Sequence, residues 1–360
     1  MQDPNDSKSI LRGEGPSGLK QFATRFCISI TIALGLLAAG ECVSYLLLPH
    51  QVPSISDYQA YVIWQTARPI EKTRTVAADG LRLTYYSHCE AGEFTIWMFG
   101  GSNLWGQFNI DQETIPSLIA KHYDESGHRV CVRNYGQIGW ASTQEVIKLM
   151  LELKRAERKP DVVIFYDGAV DSFLPYESDM VDVHMGFPTF KKKFESWRAG
   201  DQAGFEYLRS TNTYLGLQWI ATKLKINNDA GVPRSISGEQ AAAMAQRTLD
   251  NYERNMKIVE ILAGHYGFHF ECFWEPWLLA ELKPLSPEEE LIRIGVKEKT
   301  PGLAALMSTT YGLFRTAKQP HLVYLGDIFK DHRETLFLDR THLTGEGNQI
   351  IAERISQILQ

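Results

Sequence analysis

The chain of 360 residues is 44% hydrophobic and 22% charged, a globular composition that excludes a disordered, collagen-like or disulfide-stapled protein. Its net charge of −6 is carried by residues 49–360 (33 basic against 39 acidic), so no basic footprint for nucleic acid exists. The length suits one enlarged α/β domain as well as two small ones.

From Phe26 to Leu48 the chain is apolar except for Glu41 and a few small polar residues. A helix of this length, at about 1.5 Å per residue, reaches roughly 34 Å, enough to cross a bilayer. Lys8, Arg12, Lys20 and Arg25 precede it, and no Lys or Arg occurs between Pro49 and Ala67. The positive-inside rule therefore predicts a cytoplasmic tail (1–25), a single inner-membrane span (26–48) and an extracytoplasmic remainder. A cleaved signal peptide, cut near Ala38-Ala39-Gly40, is the alternative. Of the cysteines outside the span, Cys89, Cys131 and Cys272 show no metal-type spacing, and Cys131 and Cys272 read as buried thiols in strands. A disulfide is possible without being indicated.

Residues 49–93 read as a linker and lead-in. Thr95–Phe99 is then a continuous apolar run of the kind that suits a parallel strand buried on both faces, and it ends in Gly100-Gly101-Ser102-Asn103-Leu104-Trp105-Gly106. A weaker strand, Arg129–Tyr135, leads into Asn134-Tyr135-Gly136-Gln137-Ile138-Gly139, and Thr143–Glu157 is helical. The third strand, Asp161–Phe165, is followed by Tyr166-Asp167-Gly168-Ala169-Val170-Asp171. Next come an irregular segment, 172–238, with an amphipathic stretch over Tyr207–Leu224, a helix over Ala241–Ala263, and a strand over His269–Trp274. A second irregular segment, 279–320, precedes the strand Leu322–Leu325. Both irregular segments leave strand C-terminal ends, where open α/β sheets bind ligands, and are expected to cap a pocket. Asp339-Arg340-Thr341-His342 precedes the last helix, Thr344–Leu359. Strand and helix alternate, which predicts a five-stranded parallel sheet between helices.

Ser102 and His342 lie 240 residues apart, yet a doubly wound sheet brings their loops to one edge. Taken together, the four blocks make residues 94–360 resemble the SGNH (GDSL-type) hydrolase family, in the form found on anchored bacterial envelope proteins. The resemblance implies a flavodoxin-like three-layer α/β sandwich, here with an N-terminal transmembrane helix and cap insertions. It implies that Ser102 is a nucleophile, His342 its base and Asp339 the group that orients His342, because serine needs an imidazole within hydrogen-bond reach. It also assigns the oxyanion hole to the N–H groups of Ser102 and Gly136. The family's third block has an asparagine whose amide completes that hole, and here Val170 stands in its place. Asn103, Trp105, Trp140, Val170 and Asp171 are further candidates for contact with substrate, with packing against helices the competing reading of the tryptophans.

The expected function is thus a membrane-anchored serine esterase or O-acyltransferase acting on acyl esters of a cell-envelope glycan. A lipid ester is an alternative substrate, and a degenerate glycan-binding or assembly protein an alternative function. No cofactor or metal is called for, nucleic acid is not a partner, and no protein partner is indicated.

Overall fold

The computed structural model describes residues 16–47, 56–67, 73–198, 211, 214, 234–280 and 282–359. Residues 54–194 and 230–360 form one compact unit, and residues 1–53 and 195–229 belong to another. The latter contains helix α1 (Pro16–Leu47), whose stretch Lys20–Tyr45 is long and apolar enough to cross a membrane or to serve as a signal sequence.

The larger unit is built on β3 (Phe94–Gly100), β4 (Val130–Asn134), β5 (Val162–Asp167), β6 (His269–Trp274) and β7 (Leu322–Tyr324). They pair in parallel in the order β4-β3-β5-β6-β7. Numbered within this sheet the order is 2-1-3-4-5, the flavodoxin-like arrangement whose ligand crevice opens where the first strand meets its two neighbours. Alternate residues of each strand face opposite layers. Ile96, Met98, Val132 and Ile164 pack with α3 (Ile115–Glu125) and α10 (Gly345–Leu359), through Ile119, Ile351 and Ile355. On the other face Trp97, Phe99, Phe165 and Trp274 pack with α4 (Ser142–Arg155), α7 (Gly238–Tyr266) and α9 (Pro301–Thr316), through Leu149, Tyr252 and Phe314. Local signals set the helix ends: Ser237 and Gln240 form a capping box at the start of α7, and Gly267 closes it with φ +78°.

Three expectations need correcting. Residues 56–67 and 73–93 are part of the fold rather than a linker. They hold a hairpin of β1 (Ser56–Gln59) and β2 (Ile63–Thr66). They also hold the fully buried Arg82, which pairs with Asp111 at 2.8 Å and donates to the carbonyls of Trp105, Gly106 and Asn109. A buried guanidinium demands such partners at every N–H. Second, Cys131 is not a free thiol; it is joined to Cys89, which fastens the lead-in to β4. Third, residues 279–320 are not a cap over a pocket. After the short α8 (Pro287–Lys299), α9 buries Leu303, Met307, Tyr311 and Phe314 against the sheet and supplies the crossover that a parallel β6–β7 pair requires. In the other insertion α5 (Ala169–Ser178) and α6 (Phe187–Arg198) are described, and Tyr207–Leu224 lies outside the described residues except Thr211 and Tyr214.

Candidate active site

Strand β3 delivers its chain to the crevice through a tight turn. A Cβ on Gly100 would lie 2.6 Å from the Tyr166 carbonyl, so only glycine lets β3 and β5 approach there. Gly101 then caps the four-residue α2 (Ser102–Trp105), which closes on Gly106 in the left-handed region. Ser102 is thereby presented at the sheet's C-terminal edge.

The Asp339 loop arrives from the other end of the chain. Asp339 Oδ1 accepts from the N–H groups of Thr341 and His342, both at 2.8 Å, which folds the loop back on the carboxylate. Its Oδ2 faces His342 Nδ1 at 2.7 Å, and His342 Nε2 lies 2.8 Å from Ser102 Oγ. Burial pushes the Asp339 carboxyl up, but the hydrogen bonds from His342 and Thr341 outweigh it and hold the group below the usual carboxylate range. An ionised Asp339 fixes a proton on Nδ1 and leaves Nε2 free to accept from Ser102. Phe108 presses edge-on against the His342 ring, centroids 4.8 Å apart, and restricts its rotation.

The other candidates divide. Gly136 does not offer its N–H to the crevice: that group donates to Asn134 Oδ1 at 2.9 Å, and the residue is glycine because a Cβ would sit 2.7 Å from Trp105 N. Three residues on, Gly139 has φ +76° in the turn Gln137–Trp140, and its N–H makes no hydrogen bond among the described residues. That turn abuts the Ser102 turn, since the Trp140 carbonyl lies 3.5 Å from where a Gly101 Cβ would be. Val170 is on the same side, its Cγ2 at 3.6 Å from that position. Asp171 is buried and accepts from the Ser142 N–H and hydroxyl, so it anchors the start of α4 rather than meeting substrate. Trp105 and Trp140 are fully buried; the first stacks on Arg82 and the second donates to the Trp64 carbonyl. Packing accounts for both.

Asn103 is also buried, and its amide is engaged by other side chains. Its Nδ2 donates to Glu275 and to Thr341 Oγ1, the latter at 3.0 Å. Glu275, at the end of β6, accepts from the Ala169 N–H with its other oxygen at 2.7 Å. Burial, chiefly, raises the Glu275 carboxyl to about 7. Behind it lie Asp171, raised by burial to about 6, and Asp167 and Glu145, both pushed well above the ordinary range by burial. The neighbouring Asp167 carboxyl adds to the rise at Glu145, whose two buried oxygens have no hydrogen-bond partner among the described residues. Among the described residues no group of three or more His, Cys, Asp or Glu is placed to hold a metal ion.

Sequence reasoning missed Glu275, Thr341 and Phe108. The available signal was position: a lone acid directly after a strand end, a threonine inside Asp339–His342, and an aromatic shortly after Ser102. It also missed the aromatic group beside Gly139. Trp64 and Met185 approach that glycine within 3.6 and 3.4 Å of its Cβ position, with His184 and Phe190 packed on Trp64.

No family model matches the chain, and no curated protein matches it. Among solved structures it is similar to the acetyl xylan esterase AlAXEase, at 11% identity over 74% of this chain and 100% of that one, with a TM-score of 0.38. It is similar to the psychrotrophic esterase EstA from Pseudoalteromonas sp., at 12% identity over 74% and 97% of the two chains, with a TM-score of 0.36. A third likeness is to the lipase/acylhydrolase from Enterococcus faecalis, at 14% identity over 74% and 95%, again with a TM-score of 0.36. Likeness this remote carries no assignment of its own.

Proposed function

We propose that the chain is a serine esterase or O-acyltransferase of SGNH type, held at the inner membrane by a single span with its N-terminus inside, and acting on acyl esters of an envelope glycan. The observation that carries the ester chemistry is the row Ser102 Oγ, His342 Nε2, His342 Nδ1, Asp339 Oδ2, with steps of 2.8 and 2.7 Å. Ser102 Oγ attacks the ester carbonyl as its proton passes to Nε2. The tetrahedral intermediate collapses, Nε2 returns the proton to the departing alkoxide, and an acyl-serine remains. Water or a sugar hydroxyl then repeats the sequence in reverse, giving hydrolysis or transfer. The N–H groups of Ser102 and Gly139 are the donors proposed for the oxyanion, with Gly139 in the part first expected of Gly136.

The location rests on other observations. The basic residues before α1 and in its first turns support an inside N-terminus. The Cys89–Cys131 disulfide supports an oxidising compartment for the rest. The glycan rests on the resemblance and on the anchor, which keeps the site beside exported polymers and would suit a lipid ester too. A non-catalytic reading draws its support from Val170 alone.

A fluorophosphonate probe tests the chemistry: covalent labelling of the full chain, absent in Ser102→Ala, is the expected result. Unlabelled wild-type protein, or undiminished labelling of Ser102→Ala, would sink it. Protease added to spheroplasts should digest the large unit; protection of that unit would reverse the topology.

A further inference from the structure

We propose that Glu275 is a positioning residue for the reaction, its carboxylate clamping the Ser102 turn, the Val170 helix and the His342 loop into one working geometry. The inference rests on the esterase reading above, and on bonds that the triad itself does not use.

Ser102 and His342 stand on loops that no strand pairing joins. Besides the Ser102–His342 bond itself and the bond from Asn109 Nδ2 to the Leu343 carbonyl, what joins them is the residue next to each. Asn103 follows Ser102, Thr341 precedes His342, and the Asn103 amide donates to Thr341 Oγ1 at 3.0 Å across 238 residues of sequence. An amide can hold that direction only if something turns it, and the Glu275 carboxylate does so by accepting from the same Nδ2. The other Glu275 oxygen accepts from the Ala169 N–H at 2.7 Å, at the start of the helix that places Val170 against Gly101. One carboxylate therefore touches both loops that flank the nucleophile and, through Asn103, the loop of its base.

The chemistry of the two partners requires a carboxylate. Both are N–H donors, so both Glu275 oxygens must accept, and a glutamine in its place would set its own N–H₂ against one of them. Packing supplies no reason for an acid here, since Glu275 is 5% exposed and carries the desolvation cost of a charge. The groups facing it are mostly acidic or phenolic: Asp171, Asp167, Glu145, Tyr166 and Tyr311, with His342 the cationic partner when protonated. The donors from Asn103 and Ala169 are what keep the charge tolerable, which ties the ionised form to the clamped geometry.

The test is an exchange of donor and acceptor. Glu275→Gln alone sets its N–H₂ against one of the two donors and should slow fluorophosphonate labelling of Ser102 by about 10-fold or more, measured well below the variant's melting temperature. Adding Asn103→Asp restores the pattern: the introduced glutamine accepts from Ala169 and donates to the introduced aspartate, and the Thr341 hydroxyl reverses to donate. The double variant should recover to within about 3-fold of wild type. A structural role alone would lower the melting temperature of Glu275→Gln and leave labelling in the cold unchanged, and that outcome overturns the proposal. So does a double variant no faster than Glu275→Gln. Wild-type protein that takes no label overturns the esterase reading together with this one, whereas rapid labelling of Glu275→Gln overturns only the clamp.

Discussion

Replacing Val170 by asparagine tests how the site holds developing negative charge. Val170 occupies the second position of α5, and its Cγ2 lies 3.6 Å from the Cβ position of Gly101, next to the nucleophile. Asparagine is no bulkier and has a similar helix propensity, so the substitution alters hydrogen bonding more than packing. A full oxyanion donor is worth about 10²–10³ in kcat, roughly 2.7–4 kcal/mol. An amide reaching from α5 with imperfect aim should still give about 10-fold, or about 1.4 kcal/mol. The gain should appear in kcat, with KM little changed, because the bond strengthens as the carbonyl oxygen becomes negative. The assay is steady-state hydrolysis of a chromogenic acetate ester, with active sites counted by phosphonate titration. Val170→Ala is the control, since it makes room without adding a donor and should not raise kcat. Unchanged kcat in Val170→Asn, with Ser102→Ala inactive, would refute the reasoning and mean that the oxyanion is already fully served.

Ser102→Ala and His342→Ala should lose similar, large factors in kcat on the same ester, because the members of a triad act as a unit; a His342→Ala variant with near-normal kcat would remove the base from the mechanism. The Cys89–Cys131 link closes a separation of 42 residues, worth about 4 kcal/mol by loop entropy, so replacing both cysteines by serine should lower urea stability by about 2–4 kcal/mol. Native protein that denatures identically with and without reductant would contradict it. Glu275 at about 7 and Asp171 at about 6 are both raised above their unfolded values, so the native state binds more protons between roughly pH 4 and 7 and stability falls as pH rises through that window. Glu275 alone is worth roughly 3 kcal/mol at about 1.36 kcal/mol per unit, so urea midpoints should be higher at pH 5 than at pH 8, and the difference should shrink in Glu275→Gln. Asp339 acts in the opposite sense, but only where pH falls through the ordinary carboxylate range and below.

The sheet was legible because buried parallel strands must be apolar throughout, and Thr95–Phe99 and Asp161–Phe165 announce themselves by composition. Ser102 and the Asp339–His342 pair were legible because each lies where a strand or a helix forces a loop. What stayed hidden depends on side chains that satisfy backbone groups far away. Arg82 serves three carbonyls between Trp105 and Asn109, a role that leaves no periodicity in the sequence. The block Asn134–Gly139 contains two glycines, and the Asn134 side chain, by taking the Gly136 N–H, leaves the Gly139 N–H as the one without a hydrogen bond among the described residues. In the segment 279–320, Glu288-Glu289-Glu290 marks the capped start of α8 and says nothing of α9 beyond it.

The buried acids explain why the edge that carries Ser102 is built against its own stability. Glu275, Asp167 and Asp171 all sit at or just after the C-terminal ends of β5 and β6, and Glu145 reaches the same place from α4. Burying four carboxyls costs more than burying four apolar side chains, so packing alone would not collect them at one edge. Three of them hold a loop or a helix that no strand ladder reaches: Glu275 the Asn103 amide and Ala169, Asp171 the start of α4, Asp167 the Tyr252 hydroxyl on α7. A parallel sheet fixes its strands and leaves the loops beyond them free, and a triad tolerates little play. Carboxyls that must accept hydrogen bonds to remain buried at all turn that cost into position, which is why the least stable chemistry in the fold lies directly behind the residues that have to be held most tightly.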